Sequence, residues 1–353
     1  MKSIFTSVFY CLSSLLFAQQ PKFINLFSTE MDENISCYRI PALTTAKNGD
    51  LIAMIDERVS SCGDLKWNKN INIVMRRSRD HGTTWTPIET VIDYPYGESA
   101  SDPSLLLDRQ TGELFLFFNY MNLETEQDIY YLMLSKSQDH GKSWSTPEDI
   151  TLQITMPDWK HDFKFITSGR GIQTDNGDLM HSLVNIEHGL HLFKSSDHGQ
   201  SWQLINTPLN PGDESKLVEL SNGTLMVNSR VNQLGTRYVH RSKDQGQTWT
   251  SVADEQLVDP GCNASIIRYQ FKQHDLLLFC NANSAHTREN LTIKYSKDSG
   301  KTWNSGKTIY AGYAAYSSMT LMKNGHIGLF FEKDKYQENV FITLPLAYLL
   351  DSQ

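Results

Sequence analysis

Past its first 18 residues, this 353-residue chain has no long apolar run. A membrane-crossing helix needs roughly 18 to 20 consecutive apolar residues, so no transmembrane segment is expected. Basic charge is also short: 32 Lys and Arg face 40 Asp and Glu, a formal net charge of −8. Nucleic-acid binding calls for a basic face, which argues against that partner. An anionic substrate would need a local cluster of arginines working against the overall field. Cysteine is sparse. Of five in all, Cys37, Cys62, Cys262 and Cys280 lie beyond residue 18. The sequence leaves open both their three possible pairings and a set of buried free thiols. No Cys/His spacing resembles a zinc site, and the 11 histidines are scattered, so no metal is expected. A long helical period is missing too, which leaves strands to build the core.

Material for a core is present, at 39% hydrophobic residues and 11% aromatics, so the chain is not of the disordered class. Its first 18 residues have the pattern of an export signal: Lys2, a mostly apolar stretch from Ile4 to Ala18, then polar Gln19-Gln20. The expected organisation is a signal peptide over residues 1–18 and one domain over 19–353, exported to the periplasm, the cell surface or the medium.

One eight-residue pattern, Ser-x-Asp-x-Gly-x-(Ser/Thr)-Trp, occurs five times: Ser78–Trp85, Ser137–Trp144, Ser195–Trp202, Ser242–Trp249 and Ser296–Trp303. The aspartates Asp80, Asp139, Asp197, Asp244 and Asp298 are 59, 58, 47 and 54 residues apart. Such a period suits one small antiparallel sheet per repeat, the unit of a propeller. A second repeat runs beside the first. Turn signals at Asn48-Gly49, Thr111-Gly112, Asn176-Gly177, Asn222-Gly223 and Asn324-Gly325 precede β-prone apolar runs, with His274-Asp275 a degenerate sixth copy. Asn-Gly tolerates the positive φ of tight hairpins. Six hairpins predict an all-β fold, a six-bladed β-propeller of four-stranded antiparallel sheets. A closed ring protects its edges, so N-terminal residues are expected to complete the last blade near the C-terminal strands.

Residues equally far before and after a hairpin turn lie at the same end of its two strands. Nine or ten residues before the turn glycines stand Arg39, Asp102, Ser168, Glu214 and Tyr316; seven after stand Asp56, Asn119, Val184, Arg230 and Glu332. Arg58 follows two residues after Asp56. Ionisable groups at matched offsets in different blades predict a charged rim at one end of the ring, because such groups are costly to bury unless they pair or bind something.

With Tyr38-Arg39-Ile40-Pro41 ahead of five such boxes, the chain resembles the exo-α-sialidase (neuraminidase) family. The likeness covers essentially all of the expected mature chain. It implies three arginines on the carboxylate of sialic acid: Arg39, Arg230 in Asn228-Ser229-Arg230, and Arg288 in His286-Thr287-Arg288-Glu289-Asn290. A guanidinium offers the bidentate fork a carboxylate needs. The matching nucleophile is Tyr316, the residue type sialidases use in place of a carboxylate. Glu214 matches the group that takes the phenol proton, with Glu219 close by in sequence as its rival. Asp64, six residues after Arg58, matches the acid/base. Arg58 and Asp102 resemble the lining of the sugar's 4-hydroxyl pocket, and Glu332 the carboxylate that braces Arg39.

What the resemblance implies is removal of terminal α-linked sialic acid from glycoconjugates with net retention, through a covalent Tyr316 intermediate. It implies no metal or organic cofactor and a monomeric enzyme. Three alternatives share these residues or most of them: a trans-sialidase, an intramolecular anhydro-forming sialidase, and a silent sialic-acid-binding propeller. Trp67, Trp159 and residues 145–168 fall outside both repeats and are expected either to form rim loops or to pack.

Overall fold

The structure is a computed structural model and describes residues 21–350; the expected export signal lies outside them. Strands dominate, hydrogen-bonded into five small sheets in a propeller-like arrangement. The first runs in chain order through Cys37–Thr45, Leu51–Arg58, Ile71–Ser78 and Glu89–Ile92. A second begins with Glu98–Leu107, and a third is built on Leu179–Asn185 with the short strands Lys164–Ile166 and Ile172–Gln173 beside it. Ser215–Glu219 opens the fourth. The fifth sheet has seven strands.

This corrects the expectation of six separate four-stranded sheets: four stand alone, with four or five strands each, and the rest is continuous. The cause is one strand, Lys307–Leu321, 15 residues long. Its first half pairs with Glu289–Ser296 and its second half with Ile327–Lys333. No turn signal interrupts those residues, so two hairpin units share a strand.

The hairpin turns and the boxes lie at the same end of each sheet: Leu51, just past the first turn, pairs with Ser78, which opens the first box, and Leu114 pairs likewise with Ser137. At the first hairpin Gly49 takes φ +101° and its N–H bonds Ala46 O at 2.9 Å, a conformation that suits glycine. Each box joins the third strand of its unit to the strand that follows. Inside each, the Ser Oγ donates to the Asp Oδ1 at 2.7–2.9 Å, and the backbone N–H four residues beyond the Asp bonds the same carboxylate.

The box glycines carry a second message. Gly82 backs onto Phe341, Gly141 onto Ile52, Gly199 onto Phe115, Gly246 onto Ile205 and Gly300 onto Met226. Each box therefore docks on the preceding sheet. At Gly199 a Cβ would come within 2.2 Å of the Phe115 ring, so the approach itself requires glycine. The first box, through Gly82 and the Trp85–Phe341 edge contact, meets the last sheet and closes the ring. Strand Ile24–Ser28 seals the same seam by pairing with Glu338–Leu344, Ile24 opposite Phe341. Between sheets lie apolar clusters such as Ile52, Met54 and Met75 against Leu105, Leu116 and Phe118. Each fully buried side chain of this kind contributes about 1.5–3 kcal/mol.

Cys37 and Cys62 form a disulfide with a Cα–Cα distance of 5.6 Å, while Cys262 and Cys280 are buried free thiols. Trp159 is buried and stacks on His188, whereas Trp67 stands 71% exposed. No described helix is long and apolar enough to cross a membrane.

Candidate active site

Three strands that open a hairpin unit break register at the same end. The shifts fall between Arg39 and Ala42, between Ser101 and Ser104, and between Ala314 and Ser317. Bulges re-aim side chains and recur beside active sites. Two of them force unusual backbone: Ile40 takes φ +69° and Asp102 φ +63°, each just before a proline. Holding non-glycine residues there costs about 1–3 kcal/mol each. These distortions turn Arg39, Asp102 and Tyr316 toward a common centre.

At that centre the Tyr316 hydroxyl donates to Glu214 Oε2 at 2.6 Å. Arg230 Nη1 donates to the same oxygen at 2.5 Å and to the phenol oxygen at 3.2 Å. The guanidinium carbons of Arg39 and Arg288 stand 5.4 and 5.6 Å from the Tyr316 ring centroid. Burial first, then the Glu214 charge, raise the phenol's pKa well above its ordinary value, against the pull of Arg230. The resting phenol is thus neutral, with a carboxylate against its proton. Burial opposes the charge of Arg39, but Glu332 and the nearby phenols more than restore it.

Glu332, fully buried, ties these parts together. Its Oε1 accepts from Arg39 Nε at 3.2 Å and from Ile40 N at 2.9 Å, while its Oε2 accepts from Tyr316 N at 3.0 Å. One carboxylate therefore fixes a guanidinium and two of the three bulged strands.

Arg58 organises the other side. It bonds Asp56 Oδ2 through Nε and Nη2 at 3.2 and 3.0 Å, and Asp64 Oδ1 through Nη1 at 2.7 Å. Arg39 Nη1 also lies 3.5 Å from Asp64 Oδ1. Burial would raise the Asp64 pKa, yet Arg58 and Arg39 bring it below the ordinary value. Asp64 itself is 63% exposed on its loop. The disulfide ends at Cys62, two residues earlier, whose carbonyl accepts from Arg58 Nη1 at 2.9 Å. Asp56 receives Ser101 Oγ at 2.6 Å and the Asp102 N–H at 2.9 Å. Burial raises the pKa of both Asp56 and Asp102.

All nine residues singled out in the sequence thus meet in one cluster. Glu219 does not: it lies at the far end of its strand, its carboxylate accepting from Asp175 N at 2.5 Å. Other residues of the site had no motif to announce them. Tyr336 lies under Arg39, ring centroid 4.1 Å from the guanidinium carbon, and accepts from Arg288 Nη1 at 3.0 Å. Its φ of +71° in a turn of three left-handed residues gives no sequence signal. Tyr313 donates to Tyr336 at 2.8 Å, and Asn263 reaches Glu214 Oε1 at 3.4 Å. Cys262 packs beside Tyr316 as a thiol, its pKa pushed up to about 12 by burial.

Residues 49–329 match the model of the BNR repeat-like domain. A sialidase of Bacteroides fragilis is 30% identical over 85% of this chain and 61% of its own length; one of Micromonospora viridifaciens is 34% identical over 85% and 50%. The chain belongs to the exo-α-sialidase family of BNR-repeat proteins. It spans about half to three fifths of the length of those two relatives. Among solved structures, the Hadza microbial sialidase Hz136 is similar with a TM-score of 0.79 and 29% identity, covering 90% of this chain and 67% of that one. An intramolecular trans-sialidase from Ruminococcus gnavus matches with a TM-score of 0.78 over 92% of this chain and 98% of its own, at 19% identity, a likeness of fold.

Proposed function

We propose that this member of the exo-α-sialidase family is a retaining exo-α-sialidase that removes terminal α-linked sialic acid from glycans. The observation that carries the reading is the 2.6 Å bond from Tyr316 to Glu214 within a ring of three guanidinium groups. Arg39, Arg230 and Arg288 would hold the sugar carboxylate. Next to that carboxylate an anionic nucleophile is repelled, whereas a neutral phenol can approach. A phenol with a pKa near 10 attacks poorly unless its proton is taken, and Glu214 is in place to take it. Asp64 would protonate the departing glycosidic oxygen and then activate water. For the first step it must acquire a proton, so the entering substrate has to draw Arg39 away from it through the sugar carboxylate and Arg58 through the ring hydroxyls. Arg58 and Asp102 would bind the sugar's ring hydroxyls.

We count the seven-stranded sheet as two blades sharing a strand, six in all. We also read residues 1–18 as an export signal, which puts the enzyme where extracellular glycans are.

Proton NMR of 3′-sialyllactose hydrolysis tests the mechanism: the first product should be the α-anomer of free sialic acid. Tyr316→Phe should lose at least about 1,000-fold in kcat, roughly 4 kcal/mol, while still binding sialic acid. A β-anomer formed first, or near wild-type turnover by that variant, defeats the reading. Accumulation of an anhydro sugar or of transfer product would assign the chain to the transferring relatives.

A further inference from the structure

The strands that carry the site continue past it. Thr44 lies five residues beyond Arg39, Leu107 five beyond Asp102, Val218 four beyond Glu214 and Thr320 four beyond Tyr316. At about 3.3 Å per residue, these positions are roughly 13–17 Å away, at the opposite mouth of the ring. They line a cavity of about 290 Å3 together with Arg109, Arg170 and Arg268.

Arg170 is the anomaly there. Its Nη1 donates to Met319 O at 3.1 Å, but its Nε is buried without a partner, and no carboxylate lies within ion-pair distance among the described residues. The two carboxylates of the cavity are engaged elsewhere. Asp175 stands 3.9 Å from Arg109 and 3.5 Å from Arg268, and Glu219 accepts from Asp175 N. Burial, and then the charge of Arg109, push the Arg170 pKa down to about 10. A desolvated cation without a counter-charge is strongly unfavourable. The cavity has room for the missing partner, with the hydroxyls of Thr44, Thr45 and Thr320 beside it.

We propose that this far mouth binds a small tetrahedral oxyanion of the phosphate or sulfate class, with Arg170 as its principal ligand and Arg109 and Arg268 at its rim. The site is separate from the catalytic arginines.

Thermal melting and isothermal titration calorimetry with sodium phosphate, against sodium chloride at equal ionic strength, test it. The wild-type chain should show a saturable rise in Tm and a Kd below about 10 mM. Arg170→Gln should weaken that binding at least tenfold while retaining sialoside hydrolysis, and Arg268→Gln should weaken it less. Phosphate at these concentrations should not compete with a 4-methylumbelliferyl sialoside. Absence of saturable binding overturns the proposal. So does an affinity unchanged in Arg170→Gln, or a Kd that equals a competitive inhibition constant, which would place the anion on Arg39, Arg230 and Arg288. Should Arg170→Gln fail to fold, an unchanged affinity in Arg268→Gln overturns it equally.

Discussion

Glu332 is the residue on which the most geometry depends, and it touches no reacting atom in the proposed mechanism. It answers three donors with two oxygens. Glutamine offers one acceptor oxygen, and its amide would face either the Arg39 guanidinium or the Tyr316 N–H, donor against donor. Removing one member of a buried ion pair leaves the other uncompensated, at a cost of about 3–5 kcal/mol. Glu332→Gln is therefore expected to lower kcat/KM about 100-fold, equivalent to about 2.7 kcal/mol, and to lower Tm as well. Steady-state kinetics and a melt check this, and a variant altered in neither would show that Arg39 and Tyr316 are held by other means. Asp64 belongs to a different class of residue, exposed and held by Arg58 and Arg39. Its replacement should cost little stability. Asp64→Ala should cut hydrolysis of sialyllactose at least about tenfold more than hydrolysis of an activated aryl sialoside, because a good leaving group departs without its proton. Equal losses on both substrates would remove Asp64 from the proton transfer.

At the scale of elements, the box is a turn whose carboxylate is worth most when ionised. In Asp80 the Thr84 hydroxyl and N–H bring the pKa to about 2; in Asp139, Asp197 and Asp298 burial pushes the other way, and the same pair of bonds still brings it to about 2. Unfolded aspartates titrate near 3.9. Between about pH 4 and 2 the unfolded chain therefore binds more protons than the folded one, so these boxes lose their contribution as pH falls through that window. Acid titration followed by circular dichroism should show it, and Asp197→Asn should shallow the dependence. A stability flat from pH 4 to 2 would contradict the assignment. The boxes and the hairpin glycines were legible because their turn chemistry is written in adjacent residues. Counting from those turns found Arg39, Asp102, Glu214, Arg230, Tyr316 and Glu332. Two things were not legible. The bulges at Arg39, Ser101 and Ala314 insert residues into strands that otherwise alternate, with no composition of their own. Tyr336 reaches Arg39 only because a turn of left-handed residues folds it back across the site. The unit count failed in part for a related reason: an unbroken strand serves two hairpins without changing either pattern.

For the whole molecule, the ring must be closed before the site exists, because Arg39 sits in the first sheet and its brace, Glu332, in the last. Closure has two parts: the first box pressed against Phe341, and strand Ile24–Ser28 added to the edge of the last sheet. That strand buries Leu26 and Phe27 completely, worth about 1.5–3 kcal/mol each. Without it, Glu338–Leu344 becomes an open edge able to pair with other chains. A chain beginning at Thr29 should thus melt at lower temperature, aggregate on heating and lose activity in step with its fold. Phe27→Ala is the milder test, expected to cost about 3–5 kcal/mol while leaving the edge paired. Glu332 occupies the strand next to that edge, so kcat should fall in the truncated chain even at temperatures where it remains folded. If the truncated chain keeps both its Tm and its turnover, the last sheet is held by the box contacts alone and the terminal strand is dispensable.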